Sequence, residues 1–310
     1  MCILDPIFSS AFRKAIGHRG DGDPRLLYFR GEEFGVKTAP FSFKSGKWTL
    51  RGEKYFVNEG PFKGLVVFYH GISAGHTSYS QEIAYLAKQG YLVLAYDYTA
   101  CMESEGKGMD NLGQPAVDQR YFYAWLDKQE DIASLPRYSV GHSWGGYCSL
   151  MSLQPAYKVK RAVSISGFFG VASYVATINP TLGKLQKAIR SFERRRIGKE
   201  AAVEGLELLK QVHVPFLYIQ GDHDVVVKTE DHIRVLEARK DEYPNVQTYL
   251  VKNRGHQPYW TEKAQEYMNY IFGGEATPEE RDSRIIGIDY KKLNEDDPAV
   301  LKAIVDFLQA

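Results

Sequence analysis

Gly141-His142-Ser143-Trp144-Gly145-Gly146 is the stretch on which the fold turns. It matches the pattern G-x-S-x-G, in which a serine stands on a sharp turn between a strand and a helix. Such a turn needs small residues two positions either side of the serine, here Gly141 and Gly145. It exposes the hydroxyl and aims the first amides of the helix at a developing negative charge. The flanks fit: Tyr138-Ser139-Val140 reads as a short strand, and Gly145 to Leu153 reads as helix. The pattern alone is weak, because with 28 glycines in 310 residues about 0.15 chance matches are expected. A second match, Gly71-Ile72-Ser73-Ala74-Gly75, also lies between a strand and a helix.

Working outward, short apolar runs alternate with helix-like stretches. Leu65 to Tyr69 and Tyr91 to Tyr96 are continuous apolar runs, read as strands buried on both faces. Arg161 to Ile165, Phe216 to Ile219 and Val246 to Val251 are further strands. Ser80 to Gly90 has apolar residues at helical spacing, with Gly90 placed to close the helix. Gln114 to Lys128 and Pro298 to Leu308 are also helix-like. The alternation implies an α/β fold with a mostly parallel, doubly wound sheet and helices on both faces. Residues 41–57 differ: apolar pairs at a spacing of two flank the turn Lys44-Ser45-Gly46-Lys47. They read as an antiparallel hairpin at the sheet edge.

Two segments exceed plain alternation. Residues 167–211 are too long for one crossover helix and read as a small helical cap. Residues 262–294 are a second insertion before the closing helix. With residues 1–40 as an N-terminal extension, the expectation is one domain over 1–310. The extension and the second insertion are candidate interface material for a homo-oligomer.

The composition excludes several classes. Hydrophobic residues are 44% and charged residues 25%, ordinary for a globular protein. Lys plus Arg number 39 against 38 Asp plus Glu, which gives no electrostatic case for nucleic acid. No apolar run is long enough to span a bilayer, and Met1 to Pro6 does not read as a signal peptide. Cys2, Cys101 and Cys148 are too few and too scattered for a disulfide framework or a zinc site. They read as reduced thiols, and the expected location is the cytoplasm.

A serine nucleophile needs a base, and the base needs a carboxylate. Downstream of the elbow, Gly221-Asp222-His223-Asp224 follows one strand and Arg254-Gly255-His256 follows the next. Serine, then acid, then histidine is the chain order of one hydrolase architecture. All of them would fall along one edge of a parallel sheet, where open α/β sheets bind ligands. The acid is open at this point between Asp222 and Asp224.

These residues resemble the α/β-hydrolase fold family over about 41–272 plus the closing helix. The landmarks, in order, are His70-Gly71, then Asp97 with Ser104-Glu105-Gly106, the Ser143 elbow, Gly221 to Asp224, and Gly255-His256. The resemblance implies Ser143 as nucleophile, His256 as base and, by the family's G-x-x-D spacing, Asp224 as acid. It implies the amides of Ile72 and Trp144 as the oxyanion hole. Ser73 is then a loop hydroxyl, and His142 and His70 are structural. The family commonly has glycines where this chain has Ala100 and Met102, a difference of loop shape. His18, His76, His213, His223 and His232 carry no motif, and Arg194 to Arg196 read as a solvated helix face.

The implied function is a serine hydrolase that cleaves a carboxylic ester through an acyl-enzyme, with no cofactor and no metal. The resemblance points to the esterase and prolyl-oligopeptidase-like branch. Tyr79, Trp144, Phe168, Phe169, Tyr174, Tyr259 and Trp260 lie near the landmarks and suggest an apolar or aromatic acyl substrate. The alternatives are acyl-amide or acyl-peptide hydrolysis, acyl transfer to an alcohol, and a non-catalytic ligand-binding role.

Overall fold

The computed structural model describes residues 5–109, 111–274 and 276–310; Cys2 and the first apolar residues lie outside them. Eight strands form one sheet in the order β1-β2-β4-β3-β5-β6-β7-β8. They are β1 (Lys37–Ser45), β2 (Trp48–Phe56), β3 (Leu65–Tyr69), β4 (Leu92–Tyr96), β5 (Arg137–His142), β6 (Val159–Ile165), β7 (Phe216–Gly221) and β8 (Val246–Val251). Strand β2 runs antiparallel to β1 and β4, and the remaining pairs are parallel. This is the α/β-hydrolase fold, and the hairpin expected over 41–57 is its edge. The hairpin begins earlier, at Lys37, because Lys37 to Pro40 continue the ladder against Glu53 to Phe56.

Strands β3 and β4 are buried along their whole length, as their unbroken apolar runs require. One face is covered by α3 (Gln114–Leu126), α4 (Trp144–Met151) and the cap helices, with α1 (Asp5–Ile16) packed against the cap. The other is covered by α2 (Ser80–Lys88) and, at the end of the chain, the closing helix Pro298–Gln309. Helix α2 ends where Gly90 adopts a φ of +94°, a conformation open to glycine without penalty.

The cap over 167–211 is built of four helices: α5 (Val171–Ile178), α6 (Pro180–Gly183), α7 (Gln186–Ile197) and α8 (Gly205–Gln211). Sequence periodicity does not mark α1 or the short α9 (Ile233–Ala238). The insertion after β8 forms α10 (Glu262–Phe272), α11 (Pro278–Ile286) and α12 (Tyr290–Leu293), before α13 (Pro298–Gln309).

The N-terminal extension links the two insertions. Phe8 and Phe12 of α1 pack on Phe192 of α7 at 5.6 and 6.0 Å, and Asp5 pairs with Arg195. Further along, Arg25 pairs with Asp282, and Phe29 meets Tyr290 edge-on at 5.3 Å. Arg194 to Arg196 lie on the exposed side of α7. Cys101 and Cys148 are buried free thiols.

Candidate active site

The elbow lies between β5 and α4. Ser143 has φ 58° and ψ −115°, a strained conformation for a residue with a side chain. Neighbouring structure holds it there: its amide donates to Ile165 O at 2.8 Å and its carbonyl accepts from Tyr147 N at 3.1 Å. The two glycines of the motif are explained by clearance. A Cβ on Gly141 would lie 2.1 Å from the oxygen of Gly145, and one on Gly145 would lie 1.9 Å from the oxygen of Tyr69. The elbow forms only if β3, β5 and α4 meet backbone to backbone.

The loops after β7 and β8 bring two more residues to Ser143. His256 Nε2 lies 2.8 Å from Ser143 Oγ. His256 Nδ1 lies 3.0 Å from both carboxylate oxygens of Asp224. An ionised carboxylate only accepts, so Nδ1 carries the proton and Nε2 presents its lone pair to the serine hydroxyl. Asp224 also accepts from the amides of Val226 and Val227, at 3.0 Å each, and from Gln220 Nε2 at 3.3 Å. Burial opposes its charge, but the His256 contact, the Val227 amide and Gln220 outweigh it. The carboxyl therefore sits below the usual aspartate range.

Of the two candidate acids, Asp224 is the one that reaches His256. Asp222 instead accepts from the amide of Arg254 at 3.3 Å and braces the turn. Ser73 sits in the loop after β3 with φ 55°, and among the described residues no histidine bonds its hydroxyl.

The loop after β3 passes directly over the elbow. A Cβ on Gly71 would lie 3.6 Å from Ser143 Cβ. Among the described residues, neither the Ile72 amide nor the Trp144 amide has an intramolecular hydrogen-bond partner. The second of these opens α4, where the helix dipole adds partial positive charge. His70 braces this loop: its Nδ1–H donates to Gly71 O at 2.7 Å, while Nε2 accepts from the Tyr98 amide at 3.1 Å. Burial outweighs the nearby Asp97 charge and pushes its pKa down to about 4, so the ring is neutral.

Most of the aromatic residues near the landmarks turn inward. Tyr79, Trp144, Phe168, Phe169 and Tyr259 are all buried. Tyr174 is half-buried, stacked on Phe168 at 4.5 Å. The exposed apolar side chains beside the site are aliphatic: Ile72 at 44%, Val225 at 82% and Val226 at 45%. They belong to the loops after β3 and β7, and the second of these meets the end of α5 through Lys228 Nζ and Thr177 O, 3.4 Å apart.

Sequence reasoning missed a buried ionic cluster beside the loop after β3. His76 Nδ1 lies 2.8 Å from Asp97 Oδ1, and its Nε2 lies 3.5 Å from Glu53 as an ion contact rather than an aligned hydrogen bond. The signal available was Asp97 itself, a landmark acid with no partner in the motif. His232 is also buried, whereas His18, His213 and His223 are exposed. Among the described residues no group of side chains is arranged to hold a metal ion, and no helix is long and apolar enough to cross a membrane.

Comparison with known proteins agrees with this geometry at the level of fold. A family model described as serine aminopeptidase, S33, matches residues 60–203, somewhat less than half of the chain. An esterase of Pyrococcus furiosus is 20% identical, with a TM-score of 0.59, covering 90% of this chain and 100% of its own. The acylaminoacyl peptidase of Pyrococcus horikoshii is 17% identical with a TM-score of 0.52, covering 85% of this chain and 43% of its own. None of the curated proteins matches this sequence.

Proposed function

This chain has the α/β-hydrolase fold, and on that premise we propose that it is a serine hydrolase that cleaves a carboxylic ester through an acyl-enzyme on Ser143. The observation that carries the reading is the 2.8 Å contact between Ser143 Oγ and a histidine whose other nitrogen is held by a buried aspartate. A serine hydroxyl is a poor nucleophile until a base takes its proton, and the contact is within reach for that transfer.

In the proposed reaction Ser143 Oγ attacks the acyl carbon while its proton passes to His256 Nε2. Asp224 keeps the ring in the required tautomer and stabilises the imidazolium. The tetrahedral oxyanion is held by the amides of Ile72 and Trp144. The carbon–oxygen bond to the leaving alcohol then breaks, and His256 returns the proton to it. Water, deprotonated by the same nitrogen, attacks the acyl-enzyme and releases the acid and free Ser143.

The exposed Ile72, Val225 and Val226 support an apolar group on the substrate, and they favour an aliphatic over an aromatic one. The two named neighbours divide between ester and amide. The ester is preferred because an alcohol departs more readily than an amine, which must be protonated before it leaves. The test is a series of p-nitrophenyl esters with lengthening acyl chains, beside p-nitroanilides of the same acyl groups. Ester turnover that rises with chain length and is lost in Ser143→Ala is the expected result. Faster anilide cleavage would make the amide the substrate, and tight binding without turnover of either would make the protein a binding module.

A further inference from the structure

A run of hydrogen bonds joins the loop beside the nucleophile to the loop that carries His256. The Gly71 amide donates to the Tyr79 hydroxyl at 3.1 Å. That hydroxyl lies 2.8 Å from Nδ1 of His142. Nε2 of His142 lies 2.8 Å from the main-chain oxygen of His256. Both side chains are buried, at 7% and 3% exposure.

The ends fix every proton between them. A carbonyl oxygen can only accept, so Nε2 of His142 carries the hydrogen. A neutral imidazole then leaves Nδ1 as an acceptor. Tyr79 must therefore donate to it, which leaves the Tyr79 oxygen a lone pair for the Gly71 amide. A doubly protonated ring would donate to the Tyr79 oxygen instead, and the Tyr79 hydroxyl hydrogen would need another acceptor. Burial, with the neighbouring His256 as the next cause, pushes the pKa of His142 down to about 3, consistent with a neutral ring.

An apolar side chain of the same volume would fill the space but leave the His256 carbonyl and the Tyr79 hydroxyl without these partners. Only a group that donates at one end and accepts at the other spans the gap. The position is also mechanically placed. His142 precedes the nucleophile, its ring lies 4.9 Å from that of His256, and Tyr259 packs edge-on against it at 5.2 Å.

The geometry points to Tyr79 and His142 as positioning residues, a neutral relay that fixes the distance between the oxyanion loop at Gly71-Ile72 and the imidazole of His256. This rests on the serine-hydrolase reading of the site. The relay touches no substrate. It acts by keeping the base and the oxyanion amides in register on either side of Ser143, where a displacement of about 1 Å can cost on the order of a hundredfold in rate.

The test uses a fluorophosphonate probe on the full-length protein, with the saturating labelling rate and the half-saturating probe concentration measured separately. Tyr79→Phe keeps the ring and removes only the hydroxyl. It is expected to slow labelling about tenfold or more while the half-saturating concentration stays within about twofold, as for lost alignment rather than lost binding. His142→Ala should lose as much, and His142→Gln, which keeps a donor for the His256 carbonyl, should recover part of the rate. Independently of activity, ¹⁵N-histidine spectra should show the Nε2–H tautomer at His142 between about pH 5 and 8. Full labelling speed per folded molecule in Tyr79→Phe, or the Nδ1–H tautomer, would overturn the relay alone. Wild-type protein that shows the tautomer but is never labelled would overturn the hydrolase reading, and the positioning role with it.

Discussion

His76 and Asp97 form a buried ion pair, Nδ1 to Oδ1 at 2.8 Å, with the His76 amide donating to the same oxygen. Burial alone would lower the pKa of His76. Asp97 and then Glu53 reverse this and raise it to about 9. Asp97 and Glu53 are held below their usual values in spite of burial, chiefly by His76. A histidine raised in the folded state stabilises fully below its unfolded value, about 6.5, and loses that contribution as pH rises through about 9. The two lowered carboxylates give stability above their ordinary range and lose it in acid. Removing the histidine by His76→Leu takes the ion-pair partner from buried Asp97, while Glu53 keeps Arg30, and should cost about 3–5 kcal/mol near neutrality. Denaturant unfolding of wild type and variant across pH should show the gap between them narrowing from about pH 6.5 to 9. A gap that widens over that range would refute the charged pair.

Gly145 can be nothing larger. Its added Cβ would fall 1.9 Å from the Tyr69 oxygen, a backbone atom that cannot swing aside. Gly145→Ala should therefore destabilise the protein by about 3 kcal/mol, the upper end for overpacking, and lower activity beyond the loss of folded material. Gly46, in the hairpin turn with open space around it, is the control for substitution itself, although its φ of +56° predicts a smaller cost of about 1 kcal/mol there. Calorimetric midpoints for the two variants decide the order.

The three residues of the site should fail as a unit. Ser143→Ala or His256→Ala should each lower kcat by about 10⁵–10⁶, and the double variant should lose little more. Asp224→Asn should cost about 10⁴ because it favours the wrong imidazole tautomer. Stopped assays on purified, folded variants test this, and losses that multiply in the double variant would show that the two act separately.

The aliphatic rim should set substrate preference. Val226→Asp places a charge beside the proposed acyl path on an exposed loop, where it costs the fold little. It should raise KM for long-chain esters about tenfold, the worth of one or two lost methylene contacts, while short-chain esters change little. Equal effects on both would mean that the rim does not touch the acyl chain.

Much of this candidate site's geometry was legible because it is bound to the backbone. The spacing of Gly141, Ser143 and Gly145 records a turn that admits no side chains, and Asp224 and His256 each follow a strand end that patterning locates. The relay was not legible, and the His76 cluster was signalled only by Asp97, an acid without a partner in the motif. Each joins residues far apart in sequence, and neither histidine differs in local pattern from a packing residue. The loop after β4 shows a third limit. Ala100 and Met102 stand at φ 61° and 39°, so the glycines common there in similar proteins answer a left-handed backbone that this chain adopts without them. Helix α1 escaped notice because its apolar face, Phe8, Phe12 and Ile16, is satisfied by α7 of the cap rather than by the sheet. The insertion at 262–294 could be delimited, but not its partner, the N-terminal extension.

The central claim is that Ser143 is an activated nucleophile. Intact protein treated with a fluorophosphonate, digested and analysed by peptide mass spectrometry tests it directly, with His256→Ala in parallel. The account predicts one adduct, on Ser143, formed rapidly in the wild type and nearly absent in the variant. An adduct on Ser73 instead, or equal labelling of Ser143 with and without His256, would contradict it.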